Sequence, residues 1–264
     1  MNGNEVLAHR IDGTGEAVLL LNGGMMTIAS WDAIAAPLAE RYRVVRCDFR
    51  GQLRTPGPSH SDLAGHVVDL VALLDALGIE RVHAVGTSFG AEVALLLTAS
   101  HPHRIASLVA ATAADVATPL FQAGSAELGH ALHGAAAGGR RDRMLAIMQD
   151  LFYSPAYLAA HRGELSERSV QVALLPDRWF AGAADLLATL ENLDLRRYLG
   201  SITCPVLVLA AGEDRVMPPD RAAALASAIP AARLEVVEGS GHALVVEQPE
   251  RFVRSCLDFL ASLH

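Results

Sequence analysis

The chain has 264 residues, 52% hydrophobic and 19% charged, enough for one large core. A formal net charge of −8 argues against nucleic acid as a partner, and no apolar run reaches the ~18 residues that would span a bilayer. "MNGNEVLAHRIDGTGE" has no cationic start and no apolar signal core, so a soluble, cytoplasmic protein is expected. Cys47, Cys204 and Cys256 are odd in number and widely spaced, and read as buried free thiols.

In chain order, "EVLAHRIDGTGE" reads as an antiparallel hairpin entering a sheet, turning at Asp12-Gly13 and Gly15. The apolar runs "AVLLLNG" (17–23) and "RVVRCDF" (43–49) look like buried parallel strands. Leu63, Val67, Leu70, Val71, Leu74 and Leu77 then recur at helical spacing, with Ser61 as the expected cap and Gly78 as the stop. "RVHAVG" (81–86) is a strand leading into a helix from Phe89 to Ser100. "RIASLVAATA" (104–113) is another strand. The alternation then breaks. Residues 114–200 show no strand pattern, carry Gly-Gly at 138–139, and read as a helical insertion. "RRDRMLAIMQDLF" (140–152) and "ADLLATLENLDLRRYL" (184–199) are each predicted as amphipathic helices. Strand "PVLVLAAG" (205–212), a helix over 220–229, strand "RLEVVEG" (233–239) and a helix from Pro249 to about Leu263 complete the pattern. Alternating strands and helices imply an α/β fold: a parallel sheet with helices on both faces and its site at the carboxyl ends of the strands.

"GTSFG" puts Ser88 on such a strand-to-helix corner. Small residues at 86 and 90 leave room for a strained turn, and the helix N-terminus brings N–H groups beside the serine oxygen. A serine hydroxyl needs a base, and the base needs an orienting carboxylate. Of eleven histidines, His242 in "EGSGHALVVEQPERF" follows the last strand. Asp214 in "LAAGEDRVMPP" follows the strand before it, while the adjacent Glu213 should point away. The histidines at 101, 103, 130, 133 and 161 show no metal-ligand spacing, so no metal is expected.

With "GTSFG", "GEDRVMP", "GSGHALVVEQPERF" and "CDFRGQ" together, the chain resembles the α/β-hydrolase superfamily over nearly its whole length, and among its members the enol-lactonases and small carboxylesterases. The resemblance implies a mostly parallel eight-stranded sheet with a helical lid inserted after the sixth strand. The core is then 1–113 and 201–264, and the lid 114–200. It further implies a Ser88–Asp214–His242 triad without a cofactor, Asp115 being the alternative acid. The oxyanion hole is implied at the N–H groups of Phe89 and Gly24, with Met25 the fallback for the second. Two departures stand out. Asn22-Gly23 replaces the family's His-Gly, and Leu53 and Thr55 replace the Gly and Ser of R-G-x-G-x-S.

Met25, Phe121, Phe152, Trp179 and Met217 are candidates to line a substrate pocket, with Tyr153 and Phe180 beside them. Asp48 and Arg50 read as loop braces, and Arg140, Arg141 and Arg143 as a solvated helix face. The expected activity is hydrolysis of a small carboxylic ester or lactone by a monomer or homodimer. Thioesterase, C–C bond hydrolase and acyltransferase chemistry would use the same triad, and a non-catalytic ligand-binding protein on this fold is the competing class.

Overall fold

The computed structural model describes residues 6–230 and 232–263; Met1–Glu5, the start of the stretch read above for a signal core, lie outside it. The first half contains β1 (His9–Asp12), β2 (Ala17–Leu21), α1 (Asp32–Ala39), β3 (Arg43–Cys47), α2 (Leu63–Ala76), β4 (Val82–Thr87), α3 (Phe89–Ser100) and β5 (Ile105–Ala111). Six helices follow without a named strand: α4 (Pro119–Ala136), α5 (Arg141–Phe152), α6 (Pro155–Ala160), α7 (Arg162–Ala173), α8 (Asp177–Ala188) and α9 (Arg196–Leu199). The chain ends with β6 (Val206–Ala211), α10 (Pro219–Ala228), β7 (Ala232–Val237), α11 (Leu244–Glu247) and α12 (Pro249–Ala261). All six long strands predicted from apolar runs are present. No helix among the described residues is long and apolar enough to cross a membrane.

The sheet has the order β1-β3-β2-β4-β5-β6-β7, parallel except for β1. Seven strands are found among the described residues where eight were expected, and the N-terminal stretch accounts for the difference. Its described residues supply one strand rather than a hairpin. β1 pairs antiparallel with β3, His9 opposite Cys47, while β2 lies on the far side of β3. The turn between β1 and β2 runs against the end of α1: a Cβ on Gly13 would collide with the backbone of Ala39, the last residue of that helix, and with Tyr42 O. In consequence the helical excursion follows the fifth strand of this chain, not the sixth.

Alternate residues of each strand feed two cores. Leu19, Leu21 and Ala84 pack with α2, α3 and α10 on one face. Val18, Leu20 and Val85 pack with α1 and α12 on the other, where Phe252, Cys256, Phe259 and Leu260 form the inner stripe of α12. Cys47 and Cys256 are buried free thiols, raised above the usual range by burial; Cys204 is a half-buried one, raised by the same cause.

Two helix expectations are corrected. The cap of α2 is Asp62, whose carboxylate accepts from Gly65 N at 2.9 Å, not Ser61. Gly78 does close that helix, at φ +64°. Residues 184–199 are not one helix. α8 stops at Ala188 because the backbone beyond pairs elsewhere: Ala117 N donates to Leu193 O at 2.9 Å and Leu195 N to Asp115 O at 2.8 Å. This bridge ties the two ends of the excursion together. Leu190, Leu193, Leu195 and Leu199 therefore belong to the main core, whereas α4, α5 and α8 bury Leu128, Leu132, Met144, Trp179 and Phe180 in a core of their own.

Candidate active site

Ser88 stands between β4 and α3 with φ 51° and ψ −127°. A positive φ on a side-chain-bearing residue costs on the order of 1–3 kcal/mol and needs support. Ser88 N donates to Ala111 O at 3.0 Å, anchoring the corner to β5. The flanking glycines are required by contact. A Cβ on Gly86 would meet Gly90 O at 2.5 Å, and one on Gly90 would meet Leu21 O at 2.3 Å. Phe89, the first residue of α3, has an N–H with no acceptor inside the helix, as every N-terminal turn has.

His242 lies on the loop after β7, with its Nε2 2.9 Å from Ser88 Oγ and its Nδ1 2.8 Å from Asp214 Oδ2. Asp214 and His242 are both buried. The second Asp214 oxygen, Oδ1, accepts from Val216 N and Met217 N, each at 2.8 Å. The Phe152 ring covers the imidazole at a centroid distance of 5.3 Å. The loop is held from behind by Glu247, which accepts from Gly241 N and Ser154 N, both at 3.0 Å. The predicted serine, histidine and aspartate thus form one hydrogen-bonded line.

Across from Ser88 runs the loop after β2. A Cβ on Gly24 would lie 3.9 Å from that of Phe89. A buried polar network backs this loop. Trp31 Nε1 donates to Asn22 Oδ1 at 2.7 Å, and Asn22 Nδ2 donates to Asp48 Oδ1 at 3.0 Å and Gln52 Oε1 at 2.9 Å. Gln52 Nε2 donates to Gly23 O at 2.9 Å. Over Ser88 and His242 opens a cavity of about 490 Å³ whose walls include Gly24, Met25, Phe89, Phe121, Phe152 and Trp179. Arg168 is the arginine on its lining, with Nη1 3.4 Å from Tyr153 OH.

The family model described as alpha/beta hydrolase fold matches residues 16–249. The chain belongs to the α/β-hydrolase family. A relative from Variovorax paradoxus (strain S110), named "Putative carbamate hydrolase RutD", is 34% identical over 257 residues, covering 94% of this chain and 92% of its own. Among solved structures, MGS-M2, an α/β hydrolase enzyme from a Medee basin deep-sea metagenome library, is similar with a TM-score of 0.89 at 26% identity, covering 97% of this chain and 94% of that one. The enol-lactonase from Burkholderia xenovorans LB400 shares the fold, with a TM-score of 0.84 at 23% identity over 97% of this chain and 96% of its own.

For a member of the α/β-hydrolase family the departures noted above now have a structural account. Asn22 stands where the family has histidine and is wired to Asp48 and Gln52. Thr55 Oγ1 donates to Asp48 O at 2.8 Å and accepts from Ala8 N at 3.0 Å, closing the loop as a hydroxyl should. Leu53 lines the cavity.

Met217 does not line it. Its side chain is buried in the main core, and what it gives the site is the backbone N–H to Asp214. Asp115 is unavailable to His242 because it pairs with Arg221, and Glu213 is exposed. Asp48 and Arg50 do brace loops, Arg50 through Asp69 at 3.0 Å. Arg140 and Arg143 are exposed, but Arg141 is a clasp: it donates to Leu175 O at 3.0 Å and sits 4.4 Å over the Phe180 ring. Among the described residues no metal-binding group of His, Cys, Asp and Glu is found.

Sequence reasoning missed three groups here: Gln52, Glu247 and Glu92. Glu92 is fully buried on α3, accepts from Ala114 N at 3.1 Å, and leaves Oε2 unpartnered. Burial, with the Asp214 charge adding to it, pushes this carboxyl up to about 8. The packing of α3 against β4 and β5, in the middle of the sheet, is what buries it and sets it against Ala114 N.

Proposed function

We propose that the protein is a serine hydrolase that cleaves a carboxylic ester or lactone through an acyl-enzyme. The observation that carries this is the line Ser88 Oγ–His242 Nε2 at 2.9 Å and His242 Nδ1–Asp214 Oδ2 at 2.8 Å, opening onto an apolar cavity. Asp214 accepts a hydrogen bond from Nδ1–H, which keeps the proton on that nitrogen and leaves Nε2 free to accept from Ser88. Ser88 Oγ attacks the carbonyl carbon as its proton passes to Nε2. Asp214 stabilises the imidazolium. The N–H groups of Phe89 and Gly24 receive the negative oxygen. The tetrahedral intermediate collapses, His242 protonates the leaving oxygen, and the acyl group stays on Ser88. Water activated by His242 then repeats the sequence and frees the acid.

In this reading 1–113 and 201–264 form the catalytic core, and the helices between form a lid whose Phe121, Phe152 and Trp179 contact the acyl group. An apolar cavity of about 490 Å³ suits a small, largely hydrophobic substrate. The relative named as a carbamate hydrolase supports a second reading, in which the same attack cleaves a carbamate.

The test is turnover of p-nitrophenyl esters of graded length, lactones and carbamates, with Ser88→Ala as control. Ser88→Ala is expected to abolish turnover and labelling by a fluorophosphonate; cleavage that persists in the variant refutes the nucleophile. Turnover confined to carbamates selects the second reading.

A further inference from the structure

We propose that Gln52 is a positioning residue for this reaction: its side-chain amide fixes the Gly23–Gly24 backbone so that the N–H groups of that loop face Ser88. This rests on the acyl-transfer reading of Ser88. Gly23 and Gly24 are adjacent glycines, the pair of residues least able to hold a peptide plane by themselves. Within the loop Gly23 O accepts from Met26 N at 3.0 Å, and a second, side-chain donor reaches it from outside. Gln52 Nε2 donates to Gly23 O at 2.9 Å and lies 3.4 Å from Gly24 O. In a trans peptide the carbonyl and the next N–H point in opposite directions. Holding Gly23 O toward Gln52, in the interior, turns Gly24 N–H away from Gln52 and toward the cavity that both glycines line with Ser88 and Phe89.

Gln52 is itself immobilised. It is 1% exposed. Its Oε1 accepts from Phe49 N and from Asn22 Nδ2, each at 2.9 Å. The amide can sit only one way round, because Phe49 N–H can only donate and Gly23 O can only accept. Asn22 is locked by the same logic through Trp31, whose indole N–H can only donate. The result is a one-directional chain, Trp31 to Asn22 to Gln52 to Gly23, that ends on the oxyanion loop. Asn22 is the residue that replaces the family's histidine, and Gln52 is its partner.

Gln52→Glu preserves size and both Oε1 bonds but sets an acceptor against Gly23 O. We expect kcat per fluorophosphonate-titrated Ser88 to fall about tenfold to a hundredfold, with KM within about twofold, since the peptide is misaimed rather than lost. Gln52→Met, which removes the donor without adding charge, should show the same split and serves if the Glu variant does not fold. A normal kcat per titrated site overturns the proposal, even if the titratable fraction falls, because that is the mark of a purely structural residue. Wild-type protein that neither labels at Ser88 nor turns over any substrate overturns the hydrolase reading and this proposal with it. Labelled, active wild type beside an unaffected Gln52 variant overturns this proposal alone.

Discussion

Asp214 illustrates how a single residue's role is set by its second oxygen. With Oδ1 held by two backbone N–H groups, Val216 and Met217, the carboxylate cannot rotate, and Oδ2 is left for His242. Asp214→Asn should therefore do more than remove a charge. The amide oxygen must stay on the two N–H donors, so the NH₂ is forced toward His242 Nδ1. That drives the imidazole proton to Nε2, where it confronts Ser88. A fall in kcat of roughly 10³–10⁴-fold on a p-nitrophenyl ester is expected, with little change in folding. A loss under tenfold would show that His242 works without this partner. The elbow reads the same way at the residue level. Gly86 and Gly90 were recognised from sequence as small, but the backbones they accommodate, Gly90 O and Leu21 O, belong to the start of α3 and the end of β2.

Between elements, the excursion touches the core at a few close contacts. α8 presses on the loop after β3: a Cβ on Gly182 would lie 1.8 Å from Gly51 O. Gly51 precedes Gln52, so α8 and the Gly23–Gly24 loop share a support. Gly182→Ala must push the two apart. We expect a loss of about 1–3 kcal/mol in urea unfolding together with a lower kcat, the overpacking cost typical of a close contact. Full stability in the variant would mean that α8 can shift freely. The excursion's other end departs from the helix expected there. Helical periodicity continues through 184–199, yet the chain leaves the helix after Ala188 because residues 193–195 find backbone partners at 115 and 117. Local pattern competes there with a bridge formed across the whole insertion, and the bridge prevails.

For the molecule as a whole, the buried Glu92 makes stability depend on pH. Burial raises its carboxyl from the ordinary glutamate value of 4.5 up to about 8. Between those values the folded state holds a proton that the unfolded state releases, so stability falls as pH rises through that window and is unaffected below it. The slope is at most about 1.4 kcal/mol per pH unit from this one group. Glu92→Gln should flatten it: the variant gains on the wild type between pH 5 and pH 8, read by denaturant unfolding. Parallel stability curves would contradict this. Much of the architecture is already written in local pattern. Strands β2, β4, β5 and β6 are largely apolar runs, β3 and β7 mix apolar residues with Arg and Glu, α2 and α5 are marked by periodicity, α12 by Pro249 at its start, and Ser88, Asp214 and His242 each follow a strand by one to five residues. Such signals survive in one dimension because burial of a strand and the sharp turn after it depend on neighbours in sequence. The partner of β1, the inward path of Met217, the burial of Glu92 and the hold of Gln52 on Gly23 had no such signal. Each depends on which strands lie side by side. The order β3-β2-β4 brings the loops carrying Gln52, Gly23 and Ser88 together from distant parts of the chain, and only the packing of the sheet against its helices selects that order.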